Sequence, residues 1–153
     1  MKAVVQRVSS AKVEVDGVVT AHAPDPKGGL VALVGLEETD TPEDRMWMAD
    51  KLVNLRIFPD ADGKMNRSLI DTAGTLVIVP NFTVAGDVSR GRRPGFDRAM
   101  KPARARDEFV LLVEAARALH PAVGSGVFQA HMVVTIVNDG PVTILLDSRA
   151  HKP

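Results

Sequence analysis

The chain contains no cysteine. A disulfide framework, a thiol nucleophile and a cysteine-bearing zinc site are therefore excluded. A chain without thiols suits a reducing compartment. No apolar run approaches the ~20 residues that a membrane span requires, and charge at Lys2 and Arg7 interrupts the start too early for a secretory signal. The expectation is a soluble cytoplasmic protein with no membrane partner. Also missing are a Gly-x-Ser-x-Gly elbow, a phosphate-cradling loop and any internal repeat. Net charge is zero, which argues against a protein that coats nucleic acid over its whole surface.

What is present fits one ordinary domain. The 153 residues are 45% hydrophobic, enough to bury a core. The domain is read as residues 1–153, with a loose tail from Ser148 onward. Charge is unevenly spread. Arg90, Arg92, Arg93, Arg98, Lys101, Arg104 and Arg106 stand against one acid, Asp97, so this segment carries +6 and the rest of the chain −6. A local basic cluster on a neutral body suits one anionic ligand at one place, although an Arg-rich solvated loop has the same pattern.

Strand patterns fill the first third. Ala3–Val8 is one strand, Ser9-Ser10-Ala11 reads as a turn, and Asp16-Gly17 is a turn pair between Val13–Val15 and Val18-Val19. Gly29–Gly35 is nearly all apolar, as for a strand covered on both faces. Thr41, Pro42, Glu43 and Asp44 then announce a helix. A second apolar strand spans Thr75–Val79, and a long loop runs from Asp87 to Pro102. A second helix covers Ala103–Leu119, with Phe109, Leu112, Val113, Ala116 and Leu119 on one face. Arg104 and Arg106 lie in its first turn, where the helix dipole disfavours cations, so another interaction should hold them there. Met132–Val137 and Val142–Leu146 read as a strand pair joined at Asn138–Pro141. Two strands, two strand–helix units and closing strands make an α/β fold of mixed β-sheets with two main helices.

Two segments could carry chemistry. Pro80-Asn81-Phe82-Thr83 follows a buried strand directly, where open sheets place their sites. Asn81 and Thr83 offer side-chain hydrogen bonds, and the N–H groups of Phe82 and Thr83 could face a ligand. The plainer reading is a strand that stops at a proline. Asn138-Asp139-Gly140-Pro141-Val142-Thr143 has turn chemistry, but Gly-Pro before a strand can hold a cis peptide. Two carbonyl oxygens aimed alike would then form a rigid acceptor pair for an ammonium group. His22, His120, His131 and His151 show no metal-ligand spacing, and a surface or capping role is the ordinary one for each. No metal and no cofactor are expected.

Taken in order, Val4-Val5-Gln6-Arg7-Val8, Asn54-Leu55-Arg56-Ile57-Phe58, Gly63-Lys64-Met65-Asn66, Phe82-Thr83, Gly91-Arg92-Arg93-Pro94 and Asn138–Thr143 resemble the D-aminoacyl-tRNA deacylases from Met1 to about Ser148. The resemblance implies hydrolysis of the ester joining a D-amino acid, or glycine, to the acceptor end of tRNA. It implies a homodimer with active sites at the subunit interface and no metal in them. It makes Gly140 and Pro141 a chirality filter that enters from the other subunit and rejects L-amino acids. Arg7 braces that filter, with Asn138 and Thr143 in the same motif. Asn81, Phe82 and Thr83 match the catalytic pocket motif and Met132 lines the site. Arg90, Arg92, Arg93, Arg98 and Lys101 are then candidates for the tRNA contact.

Three departures stand out. The family's Ser-Gln is Pro80-Asn81 here, its paired alanines are Ala99-Met100, and its Phe-Gly-Ala-Asp-Met is Phe128-Gln129-Ala130-His131-Met132. Gln129 and His131 therefore inherit no role. The departures leave open a non-catalytic nucleic-acid-binding paralogue or a deacylase relaxed in chirality.

Overall fold

The computed structural model describes residues 1–24, 28–89 and 91–150. Its main sheet runs in the order β2 (Val18–Ala23), β1 (Lys2–Val15), β3 (Gly29–Gly35), β6 (Thr75–Pro80) and β7 (Val123–Ser125), with β8 (Val133–Asp147) on the other side of β1. β3, β6 and β7 are parallel; β1 is antiparallel to β2, β3 and β8. Between β3 and β6 come α1 (Pro42–Asn54), the small hairpin of β4 (Phe58–Pro59) and β5 (Met65–Arg67), and α2 (Leu69–Thr72). After β6, a short 3-10 turn (Phe82–Ala85) leads through the basic loop to α3 (Pro102–Leu119). The expected mixed α/β arrangement is the one observed.

Side-chain alternation divides the sheet between two cores. Ala3, Val5, Leu30, Ala32, Leu76 and Ile78 pack against Met48, Leu52, Leu112 and Ala116 of the helices. On the opposite face, Val8, Val31, Val77 and Val79 are covered by Ala11, Val13, Ala21 and Ala23. The sheet curls over itself, because β1 changes neighbour. Its first half pairs with β3 and its second half with β2.

That change of neighbour corrects the turn expected at Ser9-Ser10-Ala11. β1 continues straight through, and its register with β8 slips between Gln6 and Val8 and again between Val8 and Ser10. Such bulges bend a strand without ending it. Opposite them lies the second correction. Asn138–Pro141 does not reverse the chain, so the expected strand pair is one strand, β8, fifteen residues long. Asn138 spans the irregularity itself: its Nδ2 donates to Val142 O (3.1 Å) and its Oδ1 accepts from Val142 N (3.0 Å). Both halves of β8 can then stay on β1.

α1 begins as its sequence dictates. The Thr41 hydroxyl accepts from Asp44 N, and the Asp44 carboxylate accepts from Thr41 N at 2.9 Å. The cations at the start of α3 have partners elsewhere. Arg104 donates to the carbonyls of Glu38 (2.9 Å) and Asp40 (3.0 Å), and Arg106 to Gln129 Oε1 (2.8 Å). The loose tail expected from Ser148 needs correcting at its start. Ser148 is buried and its N–H donates to Met1 O (2.9 Å), while Arg149 pairs with the buried Glu37 at 2.6 Å.

Thr41→Ala removes one half of the reciprocal cap on α1. It is expected to lower the unfolding free energy by about 1 kcal/mol, read as a shift in the urea midpoint at unchanged slope.

Candidate active site

Pro80 ends β6 because it has no N–H to give to the ladder. The chain turns at once into the 3-10 segment, and Asn81 caps it. Its Oδ1 accepts from Thr83 N (3.2 Å) and from the Thr83 hydroxyl (2.5 Å), while its own N–H donates to Val34 O (2.8 Å). This changes one expectation. The Thr83 N–H and hydroxyl are occupied locally, so they do not jointly face a ligand with Phe82. Phe82 N–H stands at the first position of the turn, where no intrahelical acceptor exists.

Phe82 is 61% exposed and meets Phe96 edge-to-face, ring centroids 4.9 Å apart. The two rings flank a groove of about 910 Å³. Asn81 and Phe82 line it from the turn, Met100 and Lys101 from the approach to α3, and His131 and Met132 from the approach to β8. Thr83 does not line it. Most of the wall is apolar. Among the described residues its ionisable side chains are Lys101 and His131, with no carboxylate. The described residues also contain no group of three or more His, Asp or Glu placed to hold a metal.

A second constellation surrounds Gly140 and Pro141, whose peptide bond is cis. Arg7, half-buried, holds it from beneath. Arg7 Nε donates to Asp139 O (3.2 Å) and lies 3.1 Å from the Asp139 carboxylate, while Nη1 donates to Ile57 O (2.7 Å). Thr143 Oγ1 accepts from Gln6 Nε2 at 3.2 Å and from Asn138 Nδ2 at 3.4 Å. Gly140 has φ +129°, and a Cβ there would fall 2.7 Å from Val142 Cγ2 and 3.1 Å from Arg7 Nη2. Only glycine fits both the backbone and the space. Gly140 and Pro141 themselves are exposed and do not line the groove of their own chain. The residues singled out in the sequence thus form two clusters on one protomer. Asn81, Phe82 and Met132 make the first; Arg7, Asn138, Gly140, Pro141 and Thr143 make the second.

The basic loop is closed at its neck, where Asp87 and Gly95 exchange two backbone hydrogen bonds of 2.8 Å. Hydrogen bonds from the Ser89 N–H and hydroxyl, reinforced by the charge of Arg98, hold the Asp87 carboxyl below its usual range. Arg98 and Asp87 are 3.9 Å apart. Arg92 and Arg93 are exposed, Lys101 reaches the groove, and Arg90 lies outside the described residues. Among the lining residues, sequence reasoning did not single out Phe96 and assigned Gln129 and His131 no role. The one available signal was a non-glycine residue where the resembled pattern has glycine: Gln129 adopts φ +63°.

Three comparisons bear on this geometry. The family model described as D-Tyr-tRNA(Tyr) deacylase matches residues 4–147. A D-aminoacyl-tRNA deacylase of Kosmotoga olearia is 51% identical over 97% of this chain and 98% of its own length. One of Thermoanaerobacter pseudethanolicus is 50% identical over the same shares. A solved structure described as a c-Myc DNA unwinding element binding protein superposes with a TM-score of 0.90 at 36% identity, covering 96% of this chain and 98% of that one. With a match across nearly its whole length and half its residues shared with curated relatives, the chain belongs to the D-Tyr-tRNA(Tyr) deacylase family.

Proposed function

We propose that this chain hydrolyses the ester of D-aminoacyl-tRNA, and of glycyl-tRNA, and spares the L-aminoacyl ester. The working unit is a homodimer in which each groove receives Gly140 and Pro141 of the other protomer. The observation that carries this reading is the separation of the two clusters. A dipeptide braced by Arg7 and Asn138 stands exposed, away from its own groove, on a strand whose outer side has no partner among the described residues. Val133, Val137 and Leu145 are exposed along that strand, Leu145 at 76%. A long edge strand with apolar side chains calls for a cover, and a second copy supplies one together with the missing half of the site.

The acceptor end docks through phosphate contacts to Arg92, Arg93, Arg98 and Lys101, which carry little sequence information. Phe82 offers its ring to the terminal nucleoside and its N–H to the ester carbonyl, where it stabilises the oxyanion. Water attacks the carbonyl carbon, helped by the 2′-hydroxyl of the substrate. Carbonyl oxygens of the Gly140-Pro141 pair accept from the amino group, and an L side chain meets the braced backbone. Selectivity therefore comes from exclusion rather than from extra attraction to the D form. Thr83 is a poor nucleophile, because its hydroxyl already donates to Asn81 and no base adjoins it. Substrate location puts the enzyme in the cytoplasm. No helix among the described residues is long and apolar enough to cross a membrane.

Deacylation of matched D-, L- and glycyl-tRNA tests the reading. D and glycyl esters should turn over many times per site while the L ester persists. RNA retardation without turnover would identify a binding protein instead. Gly140→Ala should lower kcat/KM on the D ester roughly 10- to 100-fold by displacing the dipeptide. Leu145→Glu places a charge on the edge strand, so it should convert the dimer to a monomer in sedimentation velocity and abolish turnover.

A further inference from the structure

The support beneath Gly140 and Pro141 has a footing of its own. Arg7 Nη1 donates to Ile57 O at 2.7 Å, a shorter bond than the 3.2 Å from Arg7 Nε to Asp139 O. The guanidinium therefore bears on two carbonyls, one beside the dipeptide and one on the residue that leads into β4. Gly140 sits against the same guanidinium, since a Cβ there would fall 3.1 Å from Arg7 Nη2.

Ile57 enters a slight element. β4 has two residues and β5 three, and an isolated two-stranded hairpin is marginally stable in water. Ile57 and Phe58 are buried in the first core, but every residue of β5 is exposed. The ladder also slips. Phe58 stands opposite Arg67 and Pro59 opposite Met65, so Asn66 has no residue across from it. Arg56, next to Ile57 in the chain, takes up that gap. Its Nε donates to Asn66 O at 2.7 Å and its Nη2 to Asn66 Oδ1. Asn66 is held from its other side, where Nδ2 donates to the Asp60 carboxylate at 3.1 Å. That carboxylate also accepts from the N–H groups of Asp62 (2.9 Å) and Lys64 (3.0 Å). The Lys64 bond is foremost among those that hold the Asp60 carboxyl below its usual range, so it is an ionised acceptor at neutral pH.

Hydrogen bonds and one shared peptide thus lead from Asp60 through Asn66, Arg56 and Ile57 to Arg7 and Asp139. The Arg56 clamp is exposed, and replacing an exposed residue usually changes global stability little. A planar guanidinium bonded at two points fixes geometry instead. We infer that Arg56 and Asn66 are positioning residues of the chirality filter. Their clamp fixes the carbonyl on which Arg7 bears, and so keeps Gly140-Pro141 where it excludes an L side chain; this rests on the deacylase reading above.

The test compares kcat/KM on D- and L-aminoacyl-tRNA carrying the same amino acid, with spontaneous hydrolysis subtracted. The unaltered protein is set beside Arg56→Ala, Asn66→Ala and Arg67→Ala. Arg67 belongs to the same hairpin but donates to Asp71 O (2.6 Å). Arg56→Ala should lower the D-over-L ratio roughly 10- to 100-fold, chiefly by admitting the L ester. Asn66→Ala, which keeps the backbone acceptor, should lower it less, and Arg67→Ala should leave it unchanged. In an Arg7→Gln background, where the side chain cannot span both carbonyls, Arg56→Ala should change the ratio no further. An unchanged ratio in Arg56→Ala overturns the inference. So does an equal fall in Arg67→Ala, because the hairpin would then act only through general stability. So does an Arg56→Ala effect that persists in full without Arg7. An unaltered protein that leaves the D ester intact, or cleaves both esters alike, overturns the deacylase reading and this inference with it. The three failures among variants of a selective enzyme leave that reading standing.

Discussion

The pairing of the first strand with the last organises this protein. β1 and β8 run antiparallel along nearly their whole lengths, and the ladder is interrupted only around Arg7 and Asn138. At that interruption the backbone cannot satisfy itself. The Asn138 amide takes over the bonds at Val142, and Arg7 reaches through to Asp139 and Ile57. The position of Gly140 follows from that irregularity in one strand pair. A guanidinium with two backbone acceptors and a carboxylate neighbour is a stiff support, so the dipeptide above it has little freedom to shift.

The groove illustrates how a local substitution redistributes hydrogen bonds. Pro80 stops the β6 ladder, and Asn81 has a side chain of the right length to close on the N–H two residues later. The amide is thus spent on shaping the turn. What faces the groove there is Phe82, 61% exposed, in a wall most of which is apolar. With so few polar groups available, each one that faces the groove has more chemical consequence than it would in a crowded polar site.

Much of this was legible in the sequence. The parallel strands Gly29–Gly35 and Thr75–Pro80, the capped start of α1 and the extent of α3 follow from apolar runs, capping residues and helical spacing. The two missed continuities, through Ser9–Ala11 and through Asn138–Pro141, share a cause. Both segments carry turn-type residues, yet the β1–β8 ladder pairs on either side of each, and such non-local pairing outweighs local propensity. The residues of the two clusters could be named from ordered motifs. That Asn81 would cap Thr83 could not, because the choice depends on where Val34 O sits. His131 was given no role because Phe128–Met132 departs from the resembled pattern.

The same long ladder has a consequence for synthesis. Val13 lies opposite Val134, and Lys2 opposite Asp147. A nascent chain emerging from the ribosome presents β1 first and its principal partner last. Until β8 arrives, the apolar side chains of β1 lack one flank, and β3 and β2 alone must hold them. Contacts between distant parts of a chain form slowly, because loop closure must precede them. Completion of the domain therefore waits for β8, and a chain that has not yet made it leaves one flank of β1 uncovered.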